Sequence, residues 1–288
     1  MTDEIKFTFG MTDEDLAETK TVFARDLLRG QRALITGGGS GIGNAIAWLY
    51  GRLGATVILA GRNEEKLQSA VARLIDHELD AEYCALDIRE PDTIDEVMSS
   101  IFARGGLDIL VNNAGGQFPQ LSLDFSTKGW ASVINNNLNG TWYMMQAVAR
   151  RWRDTGRPGV VINMVVVIDD SMHGMAHTCA ARAGVITLSQ KTSVEWAPYN
   201  IRVNCVAPGV TDSSGMQVYS EEARRKFHLA NPMQGACSVW DIAQACAYLA
   251  SDACGFVTGE VIHLDGGSRH WGDLWACPTP SYFDVSAK

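Results

Sequence analysis

The stretch Ala33-Leu34-Ile35-Thr36-Gly37-Gly38-Gly39-Ser40-Gly41-Ile42-Gly43 decides how the chain is to be read. A short apolar run suited to a buried strand enters a glycine-rich turn, and a helical segment follows directly. Glycines here let the backbone approach a pyrophosphate, whose negative charge faces the amide groups at the helix start. A bare strand-to-helix turn is the alternative; the strand before and the helix after favour the nucleotide.

From residue 32 onward, short apolar runs alternate with longer segments of helical period. The runs 32–36, 56–60, 82–86, 109–112, 160–167, 202–207 and 261–264 are predicted strands. Helices are predicted near 42–53, 63–79, 91–104, 128–153, 175–197 and 239–251. Repeated β-α units of this kind imply an α/β fold, a single Rossmann-type domain whose seven-stranded parallel sheet carries helices on both faces. The domain spans 30–267, with 1–29 as an N-terminal extension and 268–288 as a C-terminal tail. Residues 12–28 are compatible with an amphipathic helix. One connection is long: 211–237, with the helix-compatible run 220–230, follows the carboxyl end of a strand, where an open α/β sheet keeps its substrate lid.

The 288 residues are 46% hydrophobic and 20% charged, an ordinary globular balance, and the formal net charge of −9 argues against a nucleic-acid or acidic-membrane partner. Seven cysteines (84, 179, 205, 237, 246, 254 and 277) form no CxxC pair, and no histidine stands at metal-ligand spacing. Reduced thiols and no metal are expected. The N-terminus carries acids rather than a basic region followed by an apolar one, and no apolar run approaches the ~18 residues of a membrane span. A soluble, cytoplasmic chain is expected.

At the end of the second strand, where an acid would meet the ribose hydroxyls of NAD, stands Gly61-Arg62-Asn63. An arginine pairs with a 2′-phosphate that an aspartate would repel, so NADPH is favoured over NADH. A solvated loop charge is the alternative for Arg62.

Thr36-Gly-x-x-x-Gly41-x-Gly43, Asp87 after the third strand, Asn112-Asn113-Ala114-Gly115 after the fourth and Pro208-Gly209 after the sixth together resemble the short-chain dehydrogenase/reductase family. The resemblance covers about residues 30–267 and implies a homotetramer. It also implies a cofactor site. Gly37, Gly39, Ser40, Gly41, Ile42 and Gly43 would hold the pyrophosphate, Asp87 and Ile88 the adenine, and Asn113, Ala114 and Gly115 the ribose. Pro208 and Gly209 lead into Val210 and Thr211, which would hold the nicotinamide carboxamide.

Most members of that family use a Tyr-x-x-x-Lys pair on the fifth helix and a serine about a dozen residues earlier. Here Thr178 takes the tyrosine position, Arg182 the lysine position and Val166 the serine position. Thr178 and Arg182 are i,i+4 neighbours on one helix face. Arginine can still reach ribose hydroxyls, but threonine cannot replace a phenol as acid near neutral pH. Ordinary ketone reduction is therefore disfavoured.

A narrower resemblance accounts for these departures. Asn112-Asn113-Ala114-Gly115-Gly116-Gln117-Phe118, Lys128-Gly129-Trp130, Asn137-x-x-Gly140-Thr141-x-Tyr143-Met144 and His177-Thr178-x-Ala180-Ala181-Arg182-Ala183-Gly184-Val185 look like the peroxisomal trans-2-enoyl-CoA reductases and 2,4-dienoyl-CoA reductases. This implies an NADPH-dependent reduction of an α,β-unsaturated acyl-CoA, with hydride delivered to the β-carbon and the enolate oxygen held by neutral donors. Asn137 matches the family asparagine that breaks the fourth helix. Asn139 matches one that dienoyl-CoA reductases place on the thioester carbonyl. In a regular helix the two face different ways, so one is expected to touch substrate.

The proton donor is open. The tyrosine of the dienoyl-CoA reductases falls on Val167 here; Tyr143, His177, His173, Asp169 and Asp170 are candidates, each also readable as packing or loop polarity. The cluster Arg224-Arg225-Lys226 suits either a CoA tail or a solvated face. Met216, Tyr219, Phe227 and Met233 are expected to line an acyl pocket, and His270, Trp271 and Trp275 to be buried at the substrate mouth or a subunit contact. Two other functions compete: a non-catalytic subunit of a mixed oligomer, and a ketone or alcohol oxidoreductase with an atypical site.

Overall fold

The computed structural model describes residues 9–169, 173–272 and 275–283. Asp170 lies outside the described residues. The apolar run after Arg32 forms β1 (Arg32–Thr36), and the others form β2 (Thr56–Gly61), β3 (Ala81–Ala85), β4 (Ile109–Asn112), β5 (Gly159–Met164), β6 (Ile201–Pro208) and β7 (Val261–Leu264). All neighbours are parallel, in the order β3-β2-β1-β4-β5-β6-β7. The sequential order reverses between β1 and β4, and a crevice opens at the carboxyl ends of those two strands.

The helices are α1 (Asp13–Glu18), α2 (Gly41–Arg52), α3 (Glu64–Asp76), α4 (Pro91–Ala103), α5 (Thr127–Ile134), α6 (Gly140–Thr155), α7 (Ala176–Glu195), α8 (Glu221–Lys226) and α9 (Val239–Ala250). Strands whose central residues are wholly buried, such as Ala33, Leu34 and Ile35, need cover on both faces. One core cluster joins the sheet to α2, α3 and α9 through Trp48, Leu49, Leu67, Leu74, Ile242 and Leu249. The other joins it to α4 and α6 through Ile94, Met98, Met144, Val148 and Trp152. The predicted seven-stranded, doubly covered sheet is the one observed.

Three predicted elements differ from what forms. The helix expected over 128–153 is two α-helices joined by a π-turn, Asn135–Asn139. The helix expected over 12–28 is only α1, because side chains take the carbonyls that would continue it: Arg52 donates to the Leu16 and Thr19 carbonyls at 2.6 and 2.8 Å, and Trp240 to that of Lys20 at 3.1 Å. The strand expected to reach Val167 ends at Met164, whose carbonyl accepts from Arg182.

Besides these carbonyl contacts, one carboxylate ties the N-terminal segment to the domain. Asp13 accepts from Asn44 Nδ2 at 3.0 Å and Trp48 Nε1 at 2.8 Å and pairs with Arg73. The long connection after β6 is closed at its neck by a two-strand pair, Thr211–Asp212 with Cys237–Ser238. Between them run a 3-10 turn (Ser214–Val218), α8 and a second 3-10 turn (Phe227–Leu229). Among the described residues no helix is long and apolar enough to cross a membrane.

Trp152 anchors the second cluster. It is wholly buried, its indole N–H donates to the Leu107 carbonyl at 2.6 Å, and a Cβ on Gly159 would collide with its ring. Trp152→Ala is expected to lower unfolding free energy by about 3–5 kcal/mol and Gly159→Ala by about 1–3 kcal/mol. Urea-unfolding midpoints of the two variants check both values.

Candidate active site

The crevice begins with Thr36, the last residue of β1. Its hydroxyl oxygen accepts from the backbone N–H groups of Asn113 at 3.0 Å and Ala114 at 2.9 Å, and its proton goes to the Val111 carbonyl at 3.3 Å. The Asn113 amide donates to the Thr36 carbonyl at 2.9 Å. These bonds lock the β1 and β4 loops together. A Cβ on Gly43 would sit 2.5 Å from the Gly37 carbonyl oxygen and 2.6 Å from Asn113 Nδ2, so only glycine permits this approach.

Helix α2 starts beside that junction. Ser40 makes no side-chain cap to α2, and no acid stands in its first turn. Its leading N–H groups therefore face the crevice as anion donors. A pyrophosphate fits this cradle, which brings Gly37, Gly39, Ser40, Gly41, Ile42 and Gly43 into one loop.

The charges at the carboxyl ends of β2 and β3 are electrostatically resolved. Arg89 holds Asp87 through both carboxylate oxygens, and its backbone N–H adds a 3.0 Å bond. The Arg89 side chain chiefly, against the opposing effect of burial, keeps the Asp87 carboxyl below the usual carboxylate range. Ile88 is buried against Gly140, so its side chain belongs to the core. Arg62 is exposed and forms no ion pair among the described residues, with its charge directed at Asp87. On the far side, Gly209 donates to the Leu264 carbonyl at 2.9 Å and Val210 accepts from Cys237. This fixes the segment Pro208, Gly209, Val210 and Thr211 at the carboxyl edge of β6.

Arg182 is the centre of the site. It is 6% exposed, yet no carboxylate meets it among the described residues. Its Nη1 donates to the Met164 carbonyl at 2.9 Å and its Nη2 to Asn137 Oδ1 at 3.3 Å, while Nε has no partner among the described residues. Burial pulls its ionisation down to about 10, which leaves it charged near neutrality. Asn137 is 1% exposed; its Oδ1 also accepts from Gly116 N–H at 3.0 Å, and its Nδ2 donates to the Gly116 carbonyl at 2.8 Å. A Cβ on Gly115 would collide with both the guanidinium and the Asn137 amide.

The π-turn explains how Asn137 reaches inward. A π-turn inserts an extra residue into the helical ladder and changes the direction of the side chains it carries. Asn139 lies on a different face, partly exposed, with one amide N–H on Asn135 Oδ1 at 2.8 Å. Asn137 thus joins the Arg182 cluster and Asn139 does not.

Thr178 is buried one turn before Arg182 on α7. Its hydroxyl lies 3.3 Å from His177 Nδ1, which also accepts from the Thr178 N–H at 2.8 Å. His177 is wholly buried, stacked on Phe125 with ring centroids 4.4 Å apart and edge-on to Phe118 at 4.6 Å. Burial holds it below the ordinary histidine range, so the ring is neutral near pH 7. Tyr143 packs against the core cluster of α4 and α6.

The long connection after β6 departs from expectation at three points. Met233 is 75% exposed, so it does not line a pocket with Met216, which is buried. Arg225 and Lys226 are taken up by Glu221 and Glu222 at i,i+4, and Arg224 lies over the Phe9 ring at 5.2 Å. Tyr219 packs edge-on to Phe227 at 5.1 Å and accepts a 2.7 Å hydrogen bond from Gln117 Nε2. Gly116, Gln117, Arg89 and the Met164 carbonyl were not expected at the site. Arg89, two residues beyond Asp87, and Gly116-Gln117, inside the motif that carries the resemblance, offered a local sequence signal, and the Met164 carbonyl offered none.

Three comparisons bear on this geometry. Residues 37–269 match the family described as Enoyl-(Acyl carrier protein) reductase. A probable 2,4-dienoyl-CoA reductase of Bacillus subtilis is 34% identical over 253 residues, 86% of this chain and 97% of that protein. A 3-oxoacyl-[acyl-carrier-protein] reductase of Chlamydia muridarum is 33% identical over 244 residues, 84% of this chain and 98% of its own. Among solved structures, the citronellol catabolism dehydrogenase AtuB of Pseudomonas aeruginosa PAO1 superposes with a TM-score of 0.77 at 33% identity, covering 86% of this chain and 99% of that one.

Asn137→Ala removes three hydrogen bonds and strands Gly116 and the buried guanidinium. It is expected to cost about 2–4 kcal/mol of stability by urea unfolding, since each stranded buried group costs about 1–3 kcal/mol. Asn139→Ala is expected to change stability by less than about 1 kcal/mol in the same measurement.

Proposed function

The chain belongs to the short-chain dehydrogenase/reductase family of oxidoreductases, and from that premise we propose that it is an NADPH-dependent enoyl-CoA reductase. It reduces the C2–C3 double bond of an α,β-unsaturated acyl-CoA. The observation that carries this reading is the pair on α7: a threonine and a carboxylate-free buried arginine where ketone reduction needs a phenol and a lysine.

Bound NADPH supplies a hydride. The protein's own part is to orient, to hold charge and to exclude water. Arg182 keeps its unpartnered Nε for the cofactor ribose, which suits a fixed cation with a fork of donors. Arg62, with no ion pair among the described residues, meets the 2′-phosphate. Asn137 is consumed in holding Gly116 and Arg182, so it positions the loop, with Gly115 beside it, rather than touching substrate. Asn139 has one amide N–H left to donate, and the Thr178 hydroxyl exchanges its long 3.3 Å contact with His177 Nδ1 for the substrate oxygen. These two neutral donors hold the thioester oxygen as it becomes an enolate oxygen. His177, neutral and caged, orients Thr178.

The segment 211–237 acts as the substrate lid over the 30–267 domain. We place the protein in the cytoplasm, where its seven free cysteines would stay reduced. We assign it a homotetramer, as the family resemblance implies; α6 and the end of α7 also line a hollow of about 250 Å³ with Trp142, Gln146, Trp196 and Tyr199.

Purified protein given NADPH and a panel of 2-enoyl-, 2,4-dienoyl- and 3-oxoacyl-CoA esters is expected to oxidise NADPH with the unsaturated esters and to leave the 3-oxo esters untouched. Turnover of the 3-oxo esters alone would overturn the reading. Arg62→Ala is expected to raise the NADPH dissociation constant by about 10- to 100-fold, the loss of one charge-assisted bond, and to leave NADH binding within twofold. Fluorescence titration checks it.

A further inference from the structure

Adding a hydride at the β-carbon leaves the α-carbon needing a proton, and α7 offers no suitable acid. The Thr178 hydroxyl is too weak, Arg182 remains charged, and His177 is enclosed by Phe118 and Phe125. Tyr143, the phenol nearest in sequence, is half-buried on α6 and packs against the core cluster that α6 shares with α4.

We propose that Tyr219, carried by the lid, is the catalytic acid that protonates the α-carbon, held in place by Gln117; the assignment rests on the enoyl-CoA reading above. Gln117 directly follows Gly116, whose N–H and carbonyl are both bound by Asn137, and Asn137 in turn accepts from Arg182. The phenol is therefore linked to the centre of the site by a short chain of fixed bonds. The direction of the last bond matters most. Gln117 Nε2 donates and the phenol oxygen accepts at 2.7 Å, and the phenol's own proton goes to no group among the described residues. It remains available for transfer. The Gln117 N–H also stabilises the phenolate that transfer leaves behind, offsetting part of the effect of burial, which raises the phenol above its ordinary value. Phe227, edge-on at 5.1 Å, fixes the ring.

The step balances. A hydride, which carries the two electrons, would reach C3 from bound NADPH, and the C2=C3 pair moves onto C2 and the thioester oxygen. The Tyr219 O–H bond breaks as the C2–H bond forms, and solvent returns a proton to the phenolate. Because Tyr219 belongs to the lid and Gln117 to the crevice floor, the acid is in place only while the two meet.

Tyr219→Phe removes one oxygen from a partly buried ring and keeps the packing on Phe227. It is expected to lower kcat on an enoyl-CoA ester by about 100-fold, the usual worth of a general acid. NADPH binding, followed by fluorescence, should stay within twofold. The solvent isotope effect should rise, and the effect of deuterating NADPH at the transferring position should shrink, as protonation becomes limiting. Gln117→Leu keeps the acid but loosens it and should show an intermediate fall. A Tyr219→Phe enzyme with wild-type kcat, or with raised KM and unchanged isotope effects, would overturn the assignment alone. A folded wild type that binds NADPH but reduces no unsaturated thioester would overturn the enoyl-CoA reading, and this assignment with it.

Discussion

A guanidinium taken out of water without a carboxylate is costly unless every accessible face of it is met by a dipole. Arg182 is such a group, and much of the site is arranged to accommodate it. The Met164 carbonyl faces it where β5 ends, and the Asn137 amide oxygen faces it from the π-turn. Asn137 can do so because its other bonds run to Gly116, and Gly115 has no Cβ to intervene. The strand end, the helix distortion and the glycine loop are thus one solution to one electrostatic demand. Of its three nitrogens, Nε alone has no protein partner among the described residues.

The parallel sheet sets the scale on which this is possible. Reversal of strand order between β1 and β4 leaves a crevice at their carboxyl ends, and Thr36 and Asn113 tie its two walls together. One wall presents the open N-terminus of α2, with exposed Arg62 at the end of β2. The other presents Arg182, Thr178 and the π-turn. The connection after β6 reaches across and touches the floor through Tyr219 and Gln117.

Much of this was legible in the sequence, because the signals were local. The runs forming β1, β4 and β7 have the predicted bounds: β1 and β4, almost wholly buried, read as unbroken apolar stretches between turn residues, and the half-buried β7 is a short run interrupted only by His263. The glycine loop, Asp87, Asn113 and the Thr178–Arg182 pair were likewise visible as spacing. What escaped was tertiary. Asn135-Asn136-Asn137 has no local property that demands a π-turn; the turn answers Arg182, forty-five residues away along the chain. α1 stops early because Arg52 and Trp240 take its carbonyls. The basic run of α8 suggested phosphate, yet two of its charges are met by glutamates one turn away. Tyr219 was expected as an apolar lining residue, and only the fold reveals that its hydroxyl meets Gln117.

In the function proposed for this chain, neutral donors rather than a phenol–lysine pair on α7 hold the charge that develops on a thioester oxygen. A crystal structure with NADP⁺ and a saturated acyl-CoA tests this most directly. The thioester oxygen should lie ~3 Å from Asn139 Nδ2 or Thr178 Oγ1, as oxyanion donors require. An oxygen more than about 5 Å from both would contradict the account, since donors at that range stabilise little.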